Sequence, residues 1–315
     1  MEKILDEYKE LMEAYDRSGG VSGEFSNPKI PSIIISGNKV LGKNTVEGLI
    51  LESEPIENGA SLKIIVKKGT KILFPMKLCF GLIPREGIQI INVYAVIEDD
   101  AGMNAISHCV FPNAEHIVHK MNFKLEIGKR SFFRYSETHF HGVSGGIEVM
   151  PYVQGVVGEE SLFEATFILK EGRVGLLDTK YDMEVMKNGK VELYVKVWGK
   201  GNDNILIEEK AALKGENARA LVKSRVVLQD NAHSKVVSEI SASAPYARGH
   251  VDCTEVVQGN AVAEAVPIVN VSNRLAKVTH EAAIGSLDSR EIETLEARGL
   301  AEEEAIKILV NGILR

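Results

Sequence analysis

Cysteine is scarce in this chain. There are three, Cys79, Cys109 and Cys253, far apart and odd in number. That argues against a disulfide framework, and no Cys-x-x-Cys or Cys/His cluster spells out a ready-made metal site. An excess of positive charge is also missing. The formal net charge is −7, which argues against a general binder of nucleic acid or anionic membranes. No apolar run reaches the length of a membrane span, and the N-terminus lacks a basic-then-apolar signal, so a soluble, cytoplasmic protein is expected. Neither a phosphate-binding Gly-x-x-x-x-Gly-Lys-Ser/Thr loop nor a nucleophile elbow is present, which argues against a P-loop ATPase or a hydrolase of the elbow type. Proline is rare, with nine in 315 residues, so long stretches run uninterrupted.

What fills those stretches is mostly alternation. Residues 1–20 form the exception: Ile4, Leu5, Tyr8, Leu11, Met12 and Tyr15 trace one face of a helix that Gly19-Gly20 ends. From about Pro31 to Lys277 the period is two. Leu62, Ile64 and Val66 alternate with polar residues, as do Val191, Leu193, Val195 and Val197, and then Ala220, Val222, Ser224, Val226 and Leu228. The turn dipeptides Asn217-Ala218, Asn231-Ala232 and Asn260-Ala261, with Ala244 to Ala247 between the last two, space strands every 14–15 residues. Two strand–turn units then make one coil of about 29 residues. A sandwich, a barrel and a parallel β-helix all accommodate this period. Ala220, Ser224, Ser238 and Ala242 are small inward candidates that suit a narrow stacked interior. The organisation read from the chain is an N-terminal helical segment 1–30, a β core 31–278 and a helical region 279–315.

The last stretch is the most specific. Asp288 has the character of a helix N-cap, and Glu291 would complete a capping box. That helix should stop at Arg298, with Gly299 in the left-handed position beyond it. In a second helix Ile306, Leu309, Val310 and Ile313 form one apolar stripe, opposite an acidic face of Glu291, Glu293, Glu296, Glu302, Glu303 and Glu304. A His280-Glu281 pair precedes the cap by eight residues.

Two groups carry candidate chemistry. Glu137, His139 and His141 sit at period two, so a strand would point all three to one face, as a metal site requires. With Glu148 and Gly155 they partly resemble the cupin motif, which would make the protein a metal-dependent enzyme using His139, His141 and Glu148. The motif is incomplete: Phe133 occupies the place of its first glycine, and Glu148 lies too far along. Cys253 shares a strand face with Val251, Glu255 and Val257, where a small buried hydrophobe would also fit.

His280-Glu281-Ala282, Ile284-Gly285-Ser286-Leu287-Asp288, Ala297-Arg298-Gly299-Leu300, Glu302 to Ala305 and Asn311-Gly312 together resemble the C-terminal signature of the SufB/SufD family, the scaffold proteins of iron–sulfur cluster assembly in the SUF system. The resemblance implies a right-handed parallel β-helix with a short N-terminal helix and a C-terminal helical hairpin. It implies a scaffold rather than an enzyme, holding a transient iron–sulfur cluster. A flavin is compatible with the family but is not readable from these residues. SufB-type members carry a cysteine nearly 30 residues before the His-Glu, and Cys253 precedes Glu281 by 28. Cys253, His280 and Glu281 are thereby the implied nascent-cluster ligands. The thiolate would serve as a soft ligand if its pKa were lowered. In an extended segment His280 and Glu281 point in opposite directions. The implied partners are a SufC-type ABC ATPase docked on residues 288–313, a second copy or a paralogue, donors of iron and sulfur, and apo-protein acceptors. The reduced N-terminal part fits a short single-gene member acting as a homodimer. A metal-free solenoid serving only as a platform is the remaining alternative.

Overall fold

A computed structural model describes residues 2–315, with side chains of the first helix from Asp6 onward; Ile4 and Leu5 of the N-terminal stripe lie outside the described side chains. Helix α1 (Glu2–Arg17) is followed by a short 3-10 turn and 19 strands. These are β1 (Ser32–Ser36), β2 (Lys39–Asn44), β3 (Leu49–Ile56), β4 (Gly59–Val66), β5 (Met76–Gly81), β6 (Glu86–Ile97), β7 (Gly102–Phe111), β8 (His116–Ile127), β9 (Phe132–His141) and β10 (Ile147–Val157). They continue as β11 (Leu162–Glu171), β12 (Leu176–Val185), β13 (Lys190–Gly199), β14 (Asn204–Leu213), β15 (Arg219–Leu228), β16 (His233–Ala242), β17 (Arg248–Val257), β18 (Val262–Val271) and β19 (Lys277–Ser286). Helices α2 (Ser289–Glu296) and α3 (Glu302–Ile313) close the chain.

From β4 on, the chain alternates between two facing parallel sheets. One runs β5-β7-β9-β11-β13-β15-β17-β19 and the other β4-β6-β8-β10-β12-β14-β16-β18, giving a right-handed solenoid. Lys190, Arg219, Arg248 and Lys277 are register partners down four successive coils, 29 residues apart each time. Alternation therefore sends the same column inward in every coil. Val191, Ala220 and Gly249 form one such column, and Val195, Ser224 and Cys253 another. The small inward residues expected from the sequence, Ala220, Ser224, Ser238 and Ala242, are all buried.

The turns stack as well. One corner places Asn188, Asn217 and Tyr246 in the left-handed region; the other places Gly201, Asp230 and Gly259 there. Asn217-Ala218, Asn231-Ala232 and Asn260-Ala261 all fall at turns as expected; at the second corner the left-handed residue is the one before the Asn. The alanines have their own reason: Ala218, Ala232 and Ala247 are fully buried, where the corner leaves room for one methyl group. Neighbouring corners are tied by backbone bonds, such as Asn188 N–H to Glu216 C=O at 2.8 Å and Asn217 N–H to Pro245 C=O at 3.0 Å.

The two ends differ. At the N-terminal end β2 pairs antiparallel with β1, and β3 antiparallel with β4, so a hairpin closes each sheet. Helix α1 covers the outer face there, with Leu11, Met12, Ala14 and Tyr15 packed on Ile34, Cys79 and Val110. At the C-terminal end β18 and β19 are the last strands of their sheets. The segment 279–286, grouped with the helices in the sequence reading, is instead most of β19, and the helical pair starts only at Ser289. A period-two run that ends in exposed residues lacks the apolar alternation by which strands are recognised.

Helices α2 and α3 fold back along the outer face. Ile306, Val310 and Leu314 pack on Trp198 and Val227, with Val256, Ile292 and Ile313 at the margin. Leu309 is half-buried and Ile308 exposed, so the stripe is centred slightly differently from the expected one and extends to Leu314. The Asp288 carboxylate accepts from Arg290 N–H at 2.8 Å, as an N-cap does. Among the described residues the reciprocal side-chain bond falls at α3 rather than at Glu291: Glu304 Oε2 accepts from Ala301 N–H at 3.1 Å.

Candidate functional site

Near the open end, Cys253 occupies the inward face of β17, 3% exposed, between Ser224 on β15 and Ala282 on β19. His280 pairs with Val251 and so lies on the same inner face, one inward position from Ala282. Ladder spacings put the Cα atoms of Cys253 and His280 about 8 Å apart. His280 is exposed because no further strand stacks beyond β19. Glu281 falls on the outer face, so the extended backbone separates it from its neighbour as the sequence reading anticipated.

The surroundings of Cys253 are acidic. Glu255, the next inward residue, is buried and accepts from Ser234 Oγ, while its second oxygen is unpartnered. Glu209 accepts from Ser224 Oγ at 2.6 Å and from Ser238 Oγ at 3.0 Å. Burial pushes the Cys253 thiol well up, and the carboxyls of Glu255 and Glu209 add to the shift. The lowered pKa expected for a reactive thiolate is therefore not found in the single chain. Positive charge, from iron or from another subunit, is what would ionise it.

Glu209 makes a separate prediction. Burial raises its carboxyl to about 7 from 4.5, against the opposing hydrogen bonds of Ser224 and Ser238. An acid with a raised folded pKa binds its proton more tightly in the folded state. Its penalty is absent below pH 4.5, grows as pH rises, and is complete above about pH 7. The full difference is about 3 kcal/mol. Glu209→Gln, which keeps an acceptor for both serines, should stabilise the protein by about 1–3 kcal/mol at pH 8 and give no gain at pH 4. Urea midpoints at the two pH values measure this; equal midpoint shifts at both would refute it.

Nearer the N-terminal end, Glu137, His139 and His141 do share the inner face of β9, all buried. Glu148 does not join them. It is exposed on the outer face of β10, since an even step from the inward Ile147 and Val149 is not available to it. A parallel solenoid is also not the antiparallel barrel of a cupin, so that motif reading is corrected on both counts. The structure adds two residues the sequence reading passed over, Cys109 and His119. Cys109 is the register partner of His139, one coil earlier, and His119 enters from β8 on the facing sheet. A coil length near 30 would have found the first pair. Nothing local signals the second, because it depends on which strands face each other.

The bonds within this group are explicit. His139 Nε2 lies 2.7 Å from Glu137 Oε1, and its Nδ1 lies 3.2 Å from His141 Nε2. Tyr135 donates to Glu137 Oε2 at 3.0 Å, and Cys109 Sγ lies 3.6 Å from Glu137 Oε1. Among the described residues, both ring nitrogens of His119 and Nδ1 of His141 have no partner. Burial drives His119 and His139 down to about 3, and His141 well below the usual range, while it raises Glu137 and Cys109.

Outside the solenoid, all six glutamates of the acidic face on α2 and α3 are exposed. None of the described helices is long and apolar enough to cross a membrane.

Residues 83–313 match the family model described as SUF system FeS cluster assembly, SufBD core domain. The chain belongs to the SufBD family. The matched span begins at Ile83 and takes in β6 to β19 and both C-terminal helices. An iron-sulfur cluster assembly SufBD family protein of Methanocaldococcus jannaschii is 38% identical over 311 residues, 99% of this chain and 98% of that one. One from Pyrococcus horikoshii is 33% identical over 310 residues, 98% and 94% of the two chains. The SufB of Bacillus subtilis is 21% identical over 270 residues, 80% of this chain and 54% of that protein. This SufBD chain is accordingly a scaffold of SUF-type iron–sulfur cluster assembly rather than an enzyme.

Proposed function

We propose that this SufBD chain works as a homodimer joined at the open ends of its two solenoids, with the nascent cluster built at that junction by Cys253 and His280. The observation that carries the reading is the uncovered inner face of the last coil. Val278, His280, Ala282 and Ile284 on β19, facing Ala263, Ala265, Pro267 and Val269 on β18, have strands on one side only. Unpaired strand edges over a partly apolar end are a template for another chain. A second copy would supply ladder partners to β18 and β19 and bury Ile284, which is 52% exposed. It would also bring its own Cys253 and His280 to the same interface, so that soft sulfur and imidazole ligands converge on iron. Glu281, on the outer face, would take part only if pairing turns the end of the strand. Iron and sulfur would come from donor proteins, and the cluster would pass to apo-protein acceptors. The acidic face of α2 and α3 would dock a SufC-type ABC ATPase, since this chain has no nucleotide loop of its own. As units of that assembly, segment 1–30 would act as N-terminal cover, the β body from 31 through the end of β19 as scaffold, and the helices of 288–313 as docking region.

Sedimentation of the wild-type chain and of Ile284→Arg tests the junction. The wild type should sediment as a dimer at tens of micromolar. The variant should be monomeric with an unchanged β-type circular dichroism spectrum, because a half-exposed position tolerates charge until a partner buries it. A monomeric wild type, or a variant that remains dimeric, would remove the junction from the proposal. A wild-type pair that forms only with a second SufBD protein would make it a heterodimer.

A further inference from the structure

We propose that the interior of the solenoid holds one divalent transition-metal ion, of the zinc or ferrous-iron class, ligated by Cys109, His119, Glu137 and His139 and separate from the junction at Cys253. One donor atom from each residue lies within 4.8 Å of all the others, and all four side chains are buried. The donor set is one thiol, two imidazoles and one carboxyl, which suits a borderline ion and not magnesium or calcium.

Three of the four ligands are already oriented by a second residue. Tyr135 holds Glu137 Oε2 at 3.0 Å, which leaves Oε1 directed at the other donors. His139 places Nδ1 at 3.2 Å from His141 Nε2, so its Nε2 faces Glu137. Ser107 Oγ lies 3.9 Å from Cys109 Sγ. Outer partners of this kind fix the ring orientation and basicity of ligands in metal sites. The fourth, His119, has two ring nitrogens buried without any hydrogen-bond partner among the described residues. A buried imidazole in that condition loses the bonds that water would have given it, and a metal bond replaces one of them.

Charge balance points the same way. A thiolate and a carboxylate neutralise a divalent ion, so the filled site carries no net charge in the buried interior. Because β7 and β9 lie in one sheet and β8 in the other, the ion would link the two walls of the solenoid. No ligand is exposed, so loading belongs to folding, and a chelator should act only on the unfolded chain.

The test is metal analysis of the full chain after gel filtration, with Cys109→Ser, His119→Gln and Cys253→Ser beside the wild type. About one zinc or iron per chain is expected in the wild type and in Cys253→Ser, and less than about one-tenth in the other two. The ion should survive dialysis against EDTA and be lost when guanidinium is added. Should the two ligand variants fail to fold, refolding the wild type with cobalt(II) decides: a tetrahedral visible spectrum with a thiolate charge-transfer band supports the site. A metal-free wild type that also gives no such cobalt spectrum overturns it. So does a stoichiometric metal that persists in folded Cys109→Ser and His119→Gln. A metal lost only in Cys253→Ser overturns it as well, by assigning the ion to the junction.

Discussion

Cys253→Ser should lose nearly all of the iron–sulfur cluster that anaerobic reconstitution builds on the wild-type chain, by at least about tenfold, because a hydroxyl does not replace a thiolate as a ligand for iron. The substitution is close to isosteric. It sits beside Ser224 and Glu255, where a hydroxyl finds polar company, so the stability change should stay within about 1 kcal/mol. His280→Ala should reduce the yield by about tenfold with no measurable loss of stability, since the side chain is exposed in the single chain. The visible absorbance of the reconstituted protein and its iron content per chain give the result. Undiminished cluster on Cys253→Ser would take the nascent-cluster role away from it. The comparison that must not serve as a control is His139→Ala/His141→Ala. Both rings are buried, and their removal leaves a cavity beside Glu137 that costs about 3–5 kcal/mol on its own. Any lost cluster in that variant would report damage to the core.

Glu293→Lys/Glu302→Lys/Glu303→Lys should weaken capture of the ABC-type ATPase subunit from the protein's own source by at least about tenfold at low salt, and flatten the salt dependence of what remains. The three side chains are exposed, and Glu304 is spared because it caps α3 through Ala301 N–H. Lysines in the first turn of a helix oppose its dipole, at about 0.3–1 kcal/mol each, a loss that the packed helix withstands. Ending the chain at Leu287 is a blunter experiment. It would uncover Trp198 and Val227, and with them the apolar contacts of Ile306, Val310 and Leu314, each contributing about 1.5–3 kcal/mol. Titration of the triple variant by surface plasmon resonance separates docking from stability. Unchanged affinity would move the docking surface off the helices.

The strands and the coil length were legible because repetition leaves a trace at two scales, while the choice of a solenoid over a sandwich or barrel rested on the C-terminal resemblance. Alternation in Val191 to Val197 and in Ala220 to Leu228 marked strands, and the Asn-Ala turns marked the coil. What was not legible depended on the third dimension. His119 meets Glu137 only because β8 faces β9 across the interior, a relation that no local pattern encodes. Residues 279–286 were missed as a strand for a related reason. A coil with nothing stacked beyond it has less need of large apolar residues, and Ala282, Ala283 and Gly285 weaken the signal that β-branched residues would give. Cys253 was placed on one strand face with Val251 and Glu255, as found, but the second carboxyl that raises its pKa was not legible: Glu209 comes from β14, 44 residues away in sequence.

A solenoid with two bare ends is the repeating unit of a fibre, because each copy can add another without limit. At one end of this chain the β1–β2 and β3–β4 hairpins break the parallel repeat, since β2 and β3 run antiparallel to their neighbours, so the two ends present different edges. In the proposed junction the association would be head-to-head, related by a two-fold axis, and complete at two copies. The N-terminal hairpins would then act as a chain terminator for assembly, at the opposite pole of the molecule from the residues whose pairing they limit.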